Sequence, residues 1–152
     1  MRIVIAGAGE VGSHLAKMLS NESNDITVID SDQGRLDSLS TIADIVTVNG
    51  NSSEIGVLRE AGVPEADLFI AVNPSESQDV NIVSAILAKN LGSSKVTARV
   101  NTEEYLSFEN KNIFTEMGID LLFYPEKIAA NEIVDLLRHN ASTDSMDFAR
   151  GR

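Results

Sequence analysis

The sequence predicts an α/β fold in which six parallel strands alternate with helices, followed by a C-terminal amphipathic helix. Along the 152 residues, short apolar runs alternate with segments of helical apolar spacing, which is typical of a parallel sheet with right-handed crossovers. Gly7, Gly9 and Gly12 join the first strand to the first helix, and an acidic residue, Asp30, ends the second strand. These observations predict a Rossmann-like, doubly wound sheet with strand order 3-2-1-4-5-6.

The glycines stand between a predicted strand, residues 2–6, and a predicted helix. The apolar residues that share one face of this helix are Val11, Leu15, Met18 and Leu19. Gly7 permits the tight turn out of the strand, Gly9 lets backbone approach a pyrophosphate, and Gly12 lets the helix pack closely on the strand. The helix N-terminus then presents N–H groups and a partial positive charge to phosphates.

Asp30 follows the second predicted strand, residues 26–29, and lies 18 residues beyond Gly12, close to the usual offset of about 20. A carboxylate there accepts hydrogen bonds from ribose hydroxyls and repels a 2′-phosphate, and Asp32 adds a second negative charge. The pattern therefore favours NAD, or another unphosphorylated adenosine ribose, over NADP. The alternative is that Asp30 caps the helix that begins near Asp32. The combined fingerprint favours ligand binding over capping.

The remaining elements are predicted from apolar spacing and from Gly and Pro at their ends. First come a helix marked by Leu36, Leu39 and Ile42, a strand at 45–48, and a helix marked by Ile55, Val57 and Leu58. A strand at 68–72, a helix at 80–91 and a strand at 95–100 follow. The last two are a helix at 102–110 and a strand at 121–124. Pro125 then opens an amphipathic helix to about Arg138. We expect a nucleotide-binding lobe over residues 1–139 and a polar linker or tail over 140–152.

Composition narrows the classes of partner. The chain has 23 acidic and 12 basic residues and a formal charge of −11, without a Lys/Arg cluster, so we expect neither nucleic acid nor direct lipid binding. Cysteine is absent, which excludes disulfides and thiolate metal sites and fits a reducing compartment. No segment resembles a membrane span, and Met1 leads directly into the first strand. We expect a cytosolic chain that can still dock on a membrane protein.

Further ligand contacts are expected in the loops at the carboxyl ends of the strands, where the strand order reverses. Asn51 can both donate to and accept from an adenine edge, Asn73 can bond a ribose or phosphate, and Arg99 offers a planar fork for phosphate oxygens. The two asparagines are also common turn residues, and that alternative stays open. For Arg99, inside an apolar strand, phosphate or a structural carboxylate is the favoured partner.

The sequence resembles a known family, the RCK/KTN (TrkA N-terminal) nucleotide-binding domains of Trk and Ktr potassium-uptake regulators. The residues that carry the resemblance are 7–12 (GAGEVG), 28–32 (VIDSD) with Arg35 and Leu36, 47–51 (TVNGN), 57–62 (VLREAG), 66–67 (AD), 71–72 (AV), Asn81, 98–100 (ARV) and 124–126 (YPE). Few dehydrogenases would reproduce the second to fifth of these blocks.

The resemblance implies a cytosolic, peripheral subunit that binds NAD(H) or an adenine nucleotide (ATP/ADP), assembles into a homodimer or a ring, and gates an integral-membrane K⁺ channel subunit of Trk/Ktr type at the inner face of the membrane. It implies phosphate contacts at Gly7, Ala8, Gly9, Glu10 and Val11 and a ribose contact at Asp30. Further cofactor contacts are expected at Ser31, Gly50, Asn51, Asn73, Pro74 and Arg99. The family sometimes gives the position of Glu126 a divalent-ion role, but we favour an interaction with the dipole of the last helix there. We therefore expect no catalytic residue and no metal ligand.

The chain departs from the family pattern in two places. The loop at 73–81 lacks the compact Ser-Asp-Glu run that usually follows strand four and is at least one residue longer. A complete family subunit also carries a smaller C-terminal lobe, which we expect to be absent from this chain.

A different class of protein, an NAD-dependent dehydrogenase fragment without its substrate domain, is the alternative. It would need a proton donor or acceptor near the nicotinamide. His14 lies two residues beyond Gly12 and His139 lies near the end of the chain, whereas Tyr105 and Tyr124 have no lysine four residues later. The sequence therefore favours a regulatory nucleotide sensor over an enzyme. A nucleotide-binding scaffold for another membrane transporter is a third hypothesis.

Overall fold

A computed structural model describes residues 1–74 and 77–125 of the chain. Its strands are β1 (Arg2–Ala6), β2 (Asp25–Asp30), β3 (Val46–Asn49), β4 (Leu68–Ala71), β5 (Lys95–Arg99) and β6 (Leu121–Phe123). Its α-helices are α1 (Glu10–Ser20), α2 (Gln33–Ser40), α3 (Ile55–Glu60), α4 (Gln78–Leu91) and α5 (Lys111–Glu116), with short 3₁₀ helices at Val63–Glu65 and Glu103–Leu106.

The six strands form one parallel sheet with the order β3-β2-β1-β4-β5-β6, which confirms the predicted fold class. At the centre of the sheet, Ala6 pairs with Ile29 on one side and with Ala71 on the other. The chain order reverses between β1 and β4, so the loops after these strands meet at the carboxyl edge. In open α/β sheets this reversal opens a crevice for ligands.

Helices cover both faces of the sheet because side chains alternate along each strand. On one face, Ile3 and Ile5 pack with α1 and α2, whose buried residues include Leu15 and Leu36. On the other face, Val4 and Phe69 pack with α3, α4 and α5. The core therefore has two apolar layers, and β1 lies between them as a rigid support for the loop that follows it.

The helix expected over residues 102–110 is wrong. The structure has a 3₁₀ helix at Glu103–Leu106, extended backbone at Ser107, and α5 beginning at Lys111. The Asn110 side-chain amide donates to the Glu104 carbonyl oxygen at 3.0 Å, and so takes an acceptor that a continuous helix would use for its own backbone. Local side-chain bonding thus displaces the helix by several residues.

Pro125 is the last residue that the structure describes. The expected amphipathic helix to Arg138, the tail at 140–152, and two residues of the long loop, Ser75 and Glu76, lie outside the described residues. Within the described ranges, no helix has both the length and the apolar character needed to cross a bilayer.

Candidate functional site

The loop between β1 and α1 is packed so tightly that two of its glycines are sterically required. Gly7 has φ +119°, and a Cβ there would lie 2.8 Å from the backbone of Val72 and Asn73. A Cβ at Gly12 would lie 1.8 Å from the Gly7 carbonyl oxygen. Atoms cannot approach so closely, so any side chain at Gly12 would push α1 away from the turn. The turn after β1, the start of α1 and the loop after β4 therefore form one packed unit.

Gly9 lies in the same loop under a different constraint. Its φ is −75°, which other residues adopt, and among the described residues a Cβ there would meet Pro74 Cγ alone, at 3.9 Å, an ordinary contact. The packing of the described residues therefore does not require glycine at this position. A close approach by a ligand remains the predicted reason for it. The same distance places Pro74, after β4, beside the glycine loop, which brings two predicted parts of the site together.

The first turn of α1 faces this loop. Gly9 is the N-cap residue and provides no side-chain cap, so the first backbone N–H groups are left for another acceptor. Glu10, in the first turn, is exposed. Its carboxylate interacts favourably with the positive end of the helix dipole.

Asp30 bridges the end of β2 to the glycine loop. Its side chain is buried, with 5% exposure. Oδ2 accepts the Ala8 N–H at 2.7 Å and Oδ1 accepts the Asp32 N–H at 2.8 Å. Charge-assisted bonds of this kind are stronger than neutral ones, so Asp30 fixes the position of the loop. Each oxygen keeps a lone pair for a ribose hydroxyl, and that contact remains a prediction.

The alternative role of Asp30 as a helix cap is wrong. The N-cap of α2 is Asp32, whose carboxylate accepts the Arg35 N–H at 3.3 Å. Arg35 also lies 3.9 Å from Asp30 Oδ2 and 3.8 Å from Asp32 Oδ2. One half-exposed guanidinium therefore faces two carboxylates, and the charge at this corner of the site is negative.

A cavity of about 120 Å³ lies across the carboxyl ends of β2, β3 and β4. It brings together four predicted site residues, Ser31, Gly50, Asn51 and Asn73, and its other lining residues are Ile29, Ser52, Ser77 and Val80. Val80, which is partly exposed, supplies apolar surface beside this polar rim, whereas Ile29 is a core residue with 1% exposure. Such a mixture suits a planar base with polar edges.

Asn51 has a turn role within this rim. Its Oδ1 accepts the Ser53 N–H at 2.9 Å and the Ser53 hydroxyl at 2.8 Å. The turn explanation therefore accounts for the oxygen of the side chain. Asn51 is exposed, and its Nδ2 group can donate a hydrogen bond to a ligand.

Sequence reasoning missed a buried polar cluster beneath this cavity, composed of Asn73, Asn81, Ser52 and Ser84. Asn81 Nδ2 donates to the Asn73 carbonyl oxygen at 3.1 Å and to the Arg99 carbonyl oxygen at 3.2 Å. The bond to Arg99 connects the end of β5, another predicted part of the site, to α4. The signal in the sequence was an asparagine and a serine in a helix that is otherwise strongly apolar.

Two of the residues considered for catalysis, Tyr105 and His14, have surroundings that the structure describes, whereas His139 lies outside the described residues. Tyr105 packs against Phe114 with 4.9 Å between ring centroids, and His14 is exposed on α1. Within residues 1–74 and 77–125, no group of three or more His, Asp or Glu side chains is placed to hold a metal ion.

The sheet and the crevice at its reversal point define a Rossmann-like α/β domain. The chain belongs to the TrkA-N domain family, whose model matches residues 3–125. This confirms the resemblance drawn from the sequence motifs.

Two relatives match almost the whole chain. A Trk system potassium uptake protein TrkA homolog of Archaeoglobus fulgidus is 38% identical over 100% of this chain and 34% of its own length. The Trk system potassium uptake protein TrkA of Halomonas elongata is 38% identical over 99% of this chain and 33% of its own length. The chain therefore spans about a third of the length of these relatives.

Solved structures share the fold. The TrkA-N domain of the inner membrane protein ybaL from Escherichia coli has a TM-score of 0.69 and 21% identity, and the match covers 90% of this chain and 96% of that one. The GsuK RCK domain has a TM-score of 0.65 and 26% identity, with 93% and 29% covered. A reductase, ChuY from Escherichia coli O157:H7, has a TM-score of 0.55, so the fold alone does not exclude an enzyme.

Proposed function

We propose that this chain is the nucleotide-binding part of a regulatory subunit of a potassium-uptake system, with NAD(H) or an adenine nucleotide (ATP/ADP) as ligand. The observation that carries the proposal is the bridge between Asp30 and the Ala8 N–H, which joins the two halves of the dinucleotide fingerprint at the reversal point of the sheet. The relatives named Trk system potassium uptake proteins support the assignment to a potassium-uptake system. Two structures of the same fold support the ligand class, since one is a GsuK channel bound to NAD and the other a Kef C-terminal domain in an AMP-bound form.

The ligand would lie along the carboxyl edge of the sheet. The pyrophosphate would contact the backbone of residues 7–11, where the first N–H groups of α1 point outward. The ribose would lie by Asp30 and Ser31, and the adenine would lie against Val80 beside Gly50 and Asn51. Asn73, Pro74 and Arg99 would meet the other half of a dinucleotide.

We expect NADPH to bind at least about tenfold more weakly than NADH, because its 2′-phosphate would meet two carboxylates and each close charge pair costs about 1 kcal/mol or more. Arg35 could accommodate a 2′-phosphate, but it already lies within 4 Å of both Asp30 and Asp32. Calorimetric titrations with both cofactors measure the ratio.

A matched pair, AMP and its 2′-phosphorylated form, confines this comparison to the adenosine half. The difference in affinity between the two members of a pair should decrease with added salt, because salt screens the repulsion between the 2′-phosphate and the carboxylates. Equal or tighter binding of the phosphorylated member of each pair would contradict the ribose assignment.

We further propose that nucleotide occupancy changes the geometry between paired domains and so gates an integral-membrane K⁺ channel subunit of Trk/Ktr type at the inner face of the membrane. A ligand that binds two arrangements of the domains with equal affinity does not shift the equilibrium between them. NADH, NAD, ATP and ADP must therefore differ in their affinity for the two arrangements if they act as signals. The assembly would be a homodimer or a ring.

K⁺ flux tests the gating. With the channel subunit and the full-length regulatory protein in liposomes, we expect the flux to differ by at least about fivefold between the most and least effective nucleotides. The substitution Asp30→Asn should abolish this response while the nucleotide-free flux stays the same. A flux that ignores every nucleotide would refute the gating proposal but not nucleotide binding.

We infer that the chain is not an enzyme. Tyr105 packs against Phe114 and His14 is exposed on α1, and we assign neither a role at a nicotinamide. Oxidation of NADH by small carbonyl compounds in the presence of the purified protein would restore the dehydrogenase alternative.

A further inference from the structure

Asn81 is a fully buried amide in a helix that otherwise faces the sheet with small residues. It has 0% exposure, and the residues that follow it on the same side of α4 are Ser84, Ala85 and Ala88. A buried amide is costly unless all of its groups are bonded. The partners of each of its polar atoms therefore show what this side chain holds in place.

All of the bonding capacity of Asn81 is directed at two strand ends. Its Oδ1 accepts the Asn73 backbone N–H at 2.8 Å and Asn73 Nδ2 at 3.0 Å. Its Nδ2 donates to the Asn73 carbonyl oxygen and to the Arg99 carbonyl oxygen. One side chain thus connects the backbone after β4 to the end of β5.

The Asn73 amide is fixed by the same contacts. Its Nδ2 donates to Asn81 Oδ1 at 3.0 Å and to Ser52 Oγ at 3.2 Å, and Ser52 Oγ lies 2.9 Å from Ser84 Oγ. Both amide hydrogens are therefore used. A flipped amide would set the Asn73 oxygen against Asn81 Oδ1, which also accepts the Asn73 backbone N–H, and would lose that bond. The group that Asn73 offers to the crevice is therefore its oxygen.

We propose that Asn81 is a positioning residue for nucleotide binding that acts through Asn73. By holding the Asn73 amide in one orientation, it makes this point of the crevice a hydrogen-bond acceptor. The ligand group that meets Asn73 is then a hydroxyl or an amino group of the nucleotide, and a phosphate is excluded there. The inference rests on the proposed nucleotide-binding function and adds to it the chemistry of one contact.

A double-mutant cycle on NADH affinity tests this role. Asn81→Ala frees the Asn73 amide to rotate, and should weaken NADH binding about tenfold in the parent protein. In the Asn73→Ala background the same change should cost about threefold or less, with the remainder due to the bond to Arg99. Asn90→Ala, at an exposed position of the same helix, is the matched control and should change affinity less than about twofold. Thermal unfolding is measured in parallel.

A merely structural role would lower the melting temperature and leave the affinity of the folded molecules unchanged. Equal losses of affinity in the two backgrounds would also overturn the inference, because Asn81 would then act independently of Asn73. If Asn81→Ala does not fold, Ser52→Ala takes its place in the cycle, since it removes one acceptor of the Asn73 amide. A parent protein that binds no nucleotide would refute the proposed function together with this inference, whereas additive losses in a protein that binds NADH refute this inference alone.

Discussion

Replacing Asp30 by asparagine is expected to weaken NADH binding by about 100-fold. The Asp30 oxygens face two backbone N–H groups, those of Ala8 and Asp32. Asparagine places an NH₂ group against one of them, so a charge-assisted bond is replaced by a clash of donors. Lost bonds to a charged group cost about 1.5–3 kcal/mol each. The loop and the ribose contact are weakened together.

The choice of ligand separates these two effects. ADP and its 2′,3′-dideoxy form differ only in the ribose hydroxyls, so the dideoxy form reports on the loop without the ribose contact. Asp30→Asn should weaken binding of the dideoxy ligand by about tenfold and binding of ADP by more than that. Asp37→Asn is the control, because Asp37 is exposed on α2 and its Oδ1 accepts only from Gln33, at 2.8 Å. Unchanged NADH affinity in Asp30→Asn would contradict both roles.

The fold and the glycine loop were predictable because they depend on local patterns. The first two apolar runs, the glycine spacing and the acidic residue at the end of β2 all lie within the first 30 residues. The handedness of the crossovers then restricts the sheet order. The sequence did not show which of Asp30 and Asp32 is the N-cap residue of α2. Asp30 is still part of β2, pairs with Asn49, and gives its carbonyl oxygen to the Gly50 N–H at 3.0 Å, so the cap falls to Asp32.

The rest of the site could not be predicted because it depends on contacts between residues far apart in the chain. Ala8 and Asp30 are 22 residues apart, and Asn81 and Arg99 are 18 apart. Nothing in the local sequence shows that α4 carries its asparagine beneath the loop after β4. The prediction of a helix at 102–110 was wrong for a related reason, since the bond from Asn110 to Glu104 competes with helix formation.

Gly12→Ala is expected to destabilise the fold by about 3 kcal/mol or more and to weaken nucleotide binding by at least about 100-fold. The added Cβ would lie 1.8 Å from the Gly7 carbonyl oxygen and 3.2 Å from Val72 Cγ2, so α1 must move away from the turn that it helps to form. The N–H groups at the start of α1 would move with it. Urea unfolding gives the stability and NADH fluorescence gives the affinity.

Gly56→Ala is the matched control, because Gly56 is also in a helix and a Cβ there would meet nothing within 4 Å. Alanine should stabilise α3 by about 0.5–1 kcal/mol. Both substitutions reduce the entropy of the unfolded chain in the same way, so the difference between them measures the clash in the glycine loop. A stable Gly12→Ala protein with normal affinity would show that α1 can shift without harm.

Gly9→Ala completes the comparison because it separates packing within the protein from approach by the ligand. Among the described residues, a Cβ at Gly9 would meet Pro74 alone, at an ordinary 3.9 Å. The free energy of unfolding of the variant should therefore lie within about 1 kcal/mol of that of the parent. If a pyrophosphate contacts this backbone, the methyl group should still weaken NADH binding by about tenfold or more. Loss of affinity with retained stability would assign the middle glycine to the ligand. Retained affinity would mean that the phosphates lie elsewhere along the crevice.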